Sequence, residues 1–96
     1  MFPLRNRRSI HYEAFLEDTN NEAFDSSWER GQELKFILGK GQLIDGLEVV
    51  VAKMNVGQRV EARIPHHLAY GVKGYPPVIP PRATLVYRVE LMSVSP

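Results

Sequence analysis

The C-terminal residues 84–93 carry the clearest pattern in the chain. Leu85, Tyr87, Val89 and Leu91 alternate with Val86, Arg88, Glu90 and Met92, the two-residue period of a strand with one core face and one mixed face. Residues 58–64 repeat the pattern, with Val60, Ala62 and Ile64 on one side and Arg59, Glu61 and Arg63 on the other. Pro65, which has no N–H to donate, ends that ladder. Two shorter strands are predicted: residues 34–38, an apolar run closed by Gly39, and residues 9–15, where Ile10, Tyr12 and Ala14 share a side. Residues 44–54 instead set Ile44, Leu47, Val51 and Met54 on one helical face. The valines 49–51 oppose a helix, because β-branched side chains lose rotamer freedom there. The period over the whole window nonetheless predicts one.

One helix among two-faced strands implies an α+β fold, an antiparallel twisted β-sheet wrapped around one short α-helix with its other face wet. Residues 65–81 make a connection longer than a turn requires, which marks it as functional or disordered. Five prolines stiffen it, and Tyr70, Tyr75, Val78 and Ile79 supply apolar anchors, so a structured binding loop is expected.

A length of 96 residues suits one domain with one site. A formal net charge of +1 supplies no field to recruit nucleic acid or an anionic membrane. With no run of about eighteen apolar residues, no membrane span is expected. The absence of cysteine excludes disulfides, thiolate zinc sites and a cysteine nucleophile. It favours a cytoplasmic protein, with the nucleus also compatible. The basic run at residues 5–8 reads as a solvated tail. Residues 1–8 are expected to form a tail or a shortened first strand, and residues 9–96 the domain.

Few chemistries fit what remains. No G-x-S-x-G nucleophile motif occurs. His66 and His67 are adjacent and do not share a face, and His11 is remote, so no metal site is expected. Gly39, Lys40 and Gly41 lack the spacing of a phosphate loop. No cofactor is implied. The aromatic set Tyr12, Phe15, Phe24, Trp28, Phe36, Tyr70, Tyr75 and Tyr87 suits either a filled core or a small apolar pocket, and the inventory alone does not choose.

The order of short motifs does choose. Phe24-Asp25-Ser26-Ser27, Val56-Gly57-Gln58-Arg59, Ala69-Tyr70-Gly71, Ile79-Pro80-Pro81 and Ala83-Thr84-Leu85-Val86 follow one another in a spacing that resembles the FKBP family of peptidyl-prolyl cis-trans isomerases across residues 9–93. The resemblance implies a pocket walled by Tyr12, Phe24, Leu34, Leu43, Ile44, Tyr70, Ile79 and Tyr87, with Leu47 as its floor and Phe36 and Tyr75 completing the binding set. It implies catalytic roles for Asp25, Tyr70 and Tyr12, with Arg30 pairing to Asp25 and Tyr12. Read from the residues alone, Asp25 is equally the cap of a turn that Ser26 and Ser27 continue.

The resemblance further implies rotation about Xaa-Pro bonds in proline-containing peptides or protein clients, as in protein folding, with no cofactor. Tacrolimus and rapamycin are expected ligands. Leu47 stands where the family usually has tryptophan, which lowers the expected affinity by about 1–3 kcal/mol. Leu34 and Tyr75 also depart from the commoner phenylalanine and histidine. As part of a longer chain, such a domain would meet a cytosolic heat-shock chaperone. The alternative expectation is a non-catalytic FKBP-like binding module of a larger co-chaperone, docking a protein partner.

Overall fold

A computed structural model describes residues 6–17 and 22–96. Five strands, β1 (Arg7–Leu16), β2 (Ala23–Ser26), β3 (Leu34–Ile37), β4 (Arg59–Ile64) and β5 (Leu85–Ser95), enclose two helices, α1 (Ser27–Arg30) and α2 (Asp45–Ala52). All pairings are antiparallel, and the order is β2-β1-β5-β4. β3 pairs with the first half of β1 and β2 with the second, so both lie along one edge of that strand. The expected α+β class is therefore the observed one.

The alternation read from sequence becomes the two faces of this sheet. Ile10, Tyr12 and Ala14 of β1, Ile64 of β4, and Leu85, Tyr87, Val89 and Leu91 of β5 are buried on one side. Leu47, Val51 and Met54 of α2 pack against them. The wet face carries Phe15 under the Arg88 guanidinium, 5.0 Å from the ring centroid, and His11 stacked on Trp28 at 5.1 Å. α2 forms despite its valines because burial overrides propensity: Val51 is fully buried while Val49 stays exposed. No described helix is long and apolar enough to cross a membrane.

Three local expectations change. Residues 23–26 form strand β2 rather than a turn, and Ser26, not Asp25, caps α1 by accepting from the Glu29 N–H at 3.2 Å. A second helical turn exists at α1, and a 3₁₀ turn spans His66–Leu68. Arg7 and Arg8 are the start of β1 itself, since their backbones pair with β3 and β5. Arg8 is not solvated either: its Nη1 donates to the Val51 carbonyl at 2.8 Å and ties down the end of α2. Residues 1–5 of the expected tail lie outside the described residues.

Gly46 explains how closely α2 approaches β4. A Cβ at this position would sit 2.4 Å from Ile64 Cγ2 and 3.2 Å from the Leu68 carbonyl oxygen. Ile64 is buried and β-branched, so it yields poorly. Gly46→Ala is therefore expected to lower stability by about 1–3 kcal/mol, although alanine is the better helix former. Denaturant unfolding measures this, and an unchanged or raised midpoint would contradict the close contact.

Candidate active site

A cavity of about 170 Å³ opens between α2 and the buried face of the sheet, lined by Tyr12, Asp25, Leu34, Gln42, Leu43, Ile44, Leu47, Tyr70 and Tyr87. This lies below the roughly 300–1,000 Å³ of sites that bury drug-sized molecules, and suits a single ring-sized group. Leu47, the second buried residue of α2, lies in its lining. Tyr12 and Tyr87 enter from adjacent strands with ring centroids 5.8 Å apart.

Strand pairing places the one carboxylate. Asp25 of β2 lies opposite Ala14 of β1, and Ala14 shares a face with Tyr12, so the Asp25 carboxylate is a diagonal neighbour of the Tyr12 ring. The Tyr12 hydroxyl donates to Asp25 Oδ2 at 2.5 Å. Arg30 Nη1 donates to Asp25 Oδ1, and its Nη2 donates to the Tyr12 hydroxyl at 3.0 Å. The guanidinium carbon also lies 5.7 Å from the Tyr12 ring centroid. Arg30 reaches this position because α1 begins immediately after β2.

Ser27, fully buried, fastens that helical turn to β1. Its Oγ accepts the Tyr12 N–H at 2.7 Å and lies 2.8 Å from His11 Nδ1 and 3.3 Å from the Tyr12 carbonyl oxygen. The first residue of α1 is thus bonded to the backbone of the residue whose hydroxyl meets Asp25 and Arg30. Sequence reasoning treated Ser27 as part of a turn, and no local pattern reveals this role.

Tyr70 comes from the loop at residues 65–81, which is ordered by its own backbone. The His66 carbonyl accepts from the N–H groups of Ala69 and Gly71 at 2.9 and 2.8 Å. Tyr75 and Ile79 exchange two backbone hydrogen bonds of 2.7 and 2.9 Å. Gly74 makes the loop possible: its φ is +69°, and a Cβ would meet the Ile79 carbonyl oxygen at 2.4 Å. The Tyr70 and Tyr75 rings lie 5.7 Å apart.

The expected site residues divide. Tyr12, Asp25, Leu34, Leu43, Ile44, Leu47, Tyr70 and Tyr87 line the cavity together. Phe24 is half-buried and packs against the core, while Phe36 and Ile79 are buried in it. Tyr75 stands exposed at the rim beside Tyr70, and Arg30 reaches the site through Asp25 and Tyr12. Gln42, which the sequence did not suggest, joins the lining, with its Oε1 accepting the Ile37 N–H at 2.6 Å. Among the described residues no three histidine, aspartate or glutamate side chains come together as a metal site.

The three phenols remain neutral well past physiological pH. Burial raises all three, with the Asp25 hydrogen bond adding to it at Tyr12, the Asp25 charge at Tyr70 and the neighbouring Tyr70 at Tyr87. The Arg30 guanidinium is held more firmly protonated by its hydrogen bonds to Tyr12 and then Asp25. The site thus offers hydroxyl donors and one arginine-held carboxylate around an apolar floor, with no serine or threonine hydroxyl among the described lining residues. Such a cavity has room for a small apolar ring, with polar groups at its edge.

Comparisons with known proteins show the family. Residues 5–92 match the family model described as FKBP-type peptidyl-prolyl cis-trans isomerase. FK506-binding protein 1 of Eremothecium gossypii is 44% identical over 87 residues, which are 91% of this chain and 75% of that protein. FK506-binding protein 1 of Saccharomyces cerevisiae is 44% identical with the same coverage. Among solved structures, the N-terminal domain of FKBP42 from Arabidopsis thaliana superposes with a TM-score of 0.88 at 30% identity, covering 96% of this chain and 74% of that one. FkpA from Escherichia coli superposes with a TM-score of 0.84 at 36% identity, covering 96% of this chain and 41% of that one. The chain belongs to the FKBP-type peptidyl-prolyl cis-trans isomerases. It is an enzyme domain that rotates Xaa-Pro bonds, and these relatives do not favour the reading as a non-catalytic module.

Tyr87 carries a prediction of its own. Its hydroxyl makes no hydrogen bond to the described residues, and burial lifts its pKa well above the ordinary value of 10.0. A folded-state pKa above the unfolded one stabilises the fold fully at lower pH, and that contribution is lost as pH rises beyond the unfolded value. Stability should therefore fall above about pH 10. Tyr87→Phe should make that fall shallower while leaving neutral-pH stability equal or higher, because no hydrogen bond is removed. Urea unfolding between neutral and alkaline pH decides this, and a large loss at neutral pH would show that the hydroxyl is bonded.

Proposed function

We propose that the proline ring of a protein or peptide client sits over Leu47 between Tyr12 and Tyr87, and that Tyr70, Asp25 and Tyr12 act on its amide. The observation supporting this reading most directly is a ring-sized apolar cavity edged by one carboxylate that a tyrosine and an arginine both hold. An Xaa-Pro bond turns slowly because rotation breaks the partial double bond of the amide. The planar amide is the more dipolar form, so a dry cavity disfavours it relative to the twisted transition state. The Tyr70 hydroxyl, neutral and at the cavity wall, donates to the substrate carbonyl and holds it while the amide turns. Asp25, oriented by Arg30, sets the Tyr12 hydroxyl and faces the rotating carbonyl group.

The same cavity takes tacrolimus and rapamycin, a reading supported by the FK506-binding proteins among its relatives. Leucine at residue 47 offers a ring less contact area than tryptophan, so affinity is reduced by about 1–3 kcal/mol. Clients are proteins with accessible prolines. The cytosol is the setting, on the cysteine-free composition. Phe24, Phe36 and Ile79 act from behind the lining, by packing, and Tyr75 touches the client at the rim.

A protease-free isomerisation assay on a Leu-Pro peptide, with and without excess rapamycin, tests the whole reading. The rate should scale with protein and disappear with the drug. A background rate in folded protein would refute it. Tyr70→Phe should reduce kcat/KM about fivefold, the worth of one hydrogen bond of roughly 1 kcal/mol, and Asp25→Ala should cost about tenfold or more. Leu47→Trp should raise rapamycin affinity, measured by calorimetry. Unchanged affinity would mean that the floor does not limit the site.

A further inference from the structure

On the wet face beside the tyrosine cavity lies a second, wider depression of about 470 Å³, whose lining includes Arg7, Ser9, Lys35, Gln42, Ser93 and Ser95. Strand register builds it in two rows. Lys35, Ser9 and Ser93 lie abreast across β3, β1 and β5, and Ile37, Arg7 and Ser95 form the next row. Side chains directly opposed across strands share a face, with Cβ atoms about 5 Å apart. Ser9 is buried, and its hydroxyl meets that of Ser93 at 2.6 Å, giving a polar floor. Arg7 and Lys35 are exposed above it. A bulge between Ser9 and Ile10 twists the sheet at one border of the depression.

The charges here are unbalanced. Elsewhere on this face arginines are matched to carboxylates: Arg59 to Glu90, Arg88 to Glu61 and Arg63 to Glu17. Among the described residues, the depression is lined by three basic side chains and no acidic one. Arg8 turns its guanidinium to the Val51 carbonyl, whereas Arg7 and Lys35 have no carboxylate partner among the described residues. With a net charge of only +1, the protein has no overall field that would explain such a cluster, so the positive potential is local. The depression also adjoins the tyrosine cavity, because Gln42 lines both.

We infer that this depression is a charge-selecting subsite of the isomerase: a carboxylate carried by the client a few residues from its proline settles against Arg7 and Lys35 while the proline occupies the cavity. An extended chain advances about 3.3 Å per residue, so a short client segment bridges adjoining sites. This rests on the tyrosine cavity being the proline site. Exposed cations are screened and individually weak, so the preference is modest and falls with salt. The subsite makes acidic segments around proline the preferred client chemistry.

The test uses peptides sharing one Leu-Pro core, with a single Glu placed at each of about four positions on either side and a Gln counterpart for each. At one or two positions the Glu peptide should show about three- to tenfold higher kcat/KM than its Gln partner. That ratio should shrink toward one at roughly 0.5 M salt and in the Arg7→Gln, Lys35→Gln double variant. A ratio of one at every position, or an advantage that survives the double substitution, overturns the subsite. Should no peptide be accelerated, the isomerase reading of the cavity is what has failed. Fluorescence-polarisation titration of the same peptides then decides the subsite alone: Glu-selective binding lost in the double variant upholds it, and equal binding of Glu and Gln peptides overturns it.

Discussion

The pairing of β1 with β5 is the constraint on which the rest of this molecule depends. It runs unbroken in direction from Arg7 opposite Ser95 to Leu16 opposite Leu85, with one register shift. It joins the two strands that supply most of the core and brings Tyr12 and Tyr87 close enough for their rings to form one wall. The free edge of β1 then receives β3 and β2 in succession. Each later feature of the site is referenced to β1: Asp25 through β2, Arg30 through α1, and Leu34 through β3.

The cluster of Tyr12, Asp25 and Arg30 is stabilised more by this scaffold than by its own charges. The Arg30 and Asp25 side chains are 48% and 37% exposed, and an ion pair in that setting contributes little to folding. Its value lies in direction. A carboxylate held by two donors has few orientations left, and the buried Ser27 hydroxyl fixes the turn that supplies one of those donors. In the mechanism proposed above, amide rotation asks only for such preorganisation, since no proton or electron pair has to be relayed.

The two faces of the sheet divide the work by solvent. On the dry face, burial keeps the phenols neutral and leaves the cavity apolar enough to receive a ring. On the wet face, charges keep their hydration and mostly pair with one another, except around Ser9, where Arg7 and Lys35 have no carboxylate partner among the described residues. Gln42 stands at the seam, its carbonyl oxygen bonded to β3.

The chain order of apolar and polar residues was enough to read β1, β3, β4, β5 and α2, because each buries one face and burial leaves a period of 2 or 3.6 in the sequence. β2 and α1 left no such trace: each spans four residues, and the first three of β2 are half-buried alike. The short motifs were enough to point to the family. Without the resemblance, which aromatics fill the core and which line the cavity was not legible, since Phe36 and Tyr12 are about equally buried and only one lines the cavity. Nor was the role of Ser27, which exists only because β1 passes beside it. The sequence by itself determined the faces of the elements, and so the α+β class. Apart from the family resemblance, which named Tyr12, Asp25 and Arg30 together, the site was decided by the tertiary structure, because its contacts, Tyr12 to Asp25 and Tyr12 to Arg30, join residues 13 and 18 positions apart. At such separations no local period constrains side chains, and only the register of packed strands does.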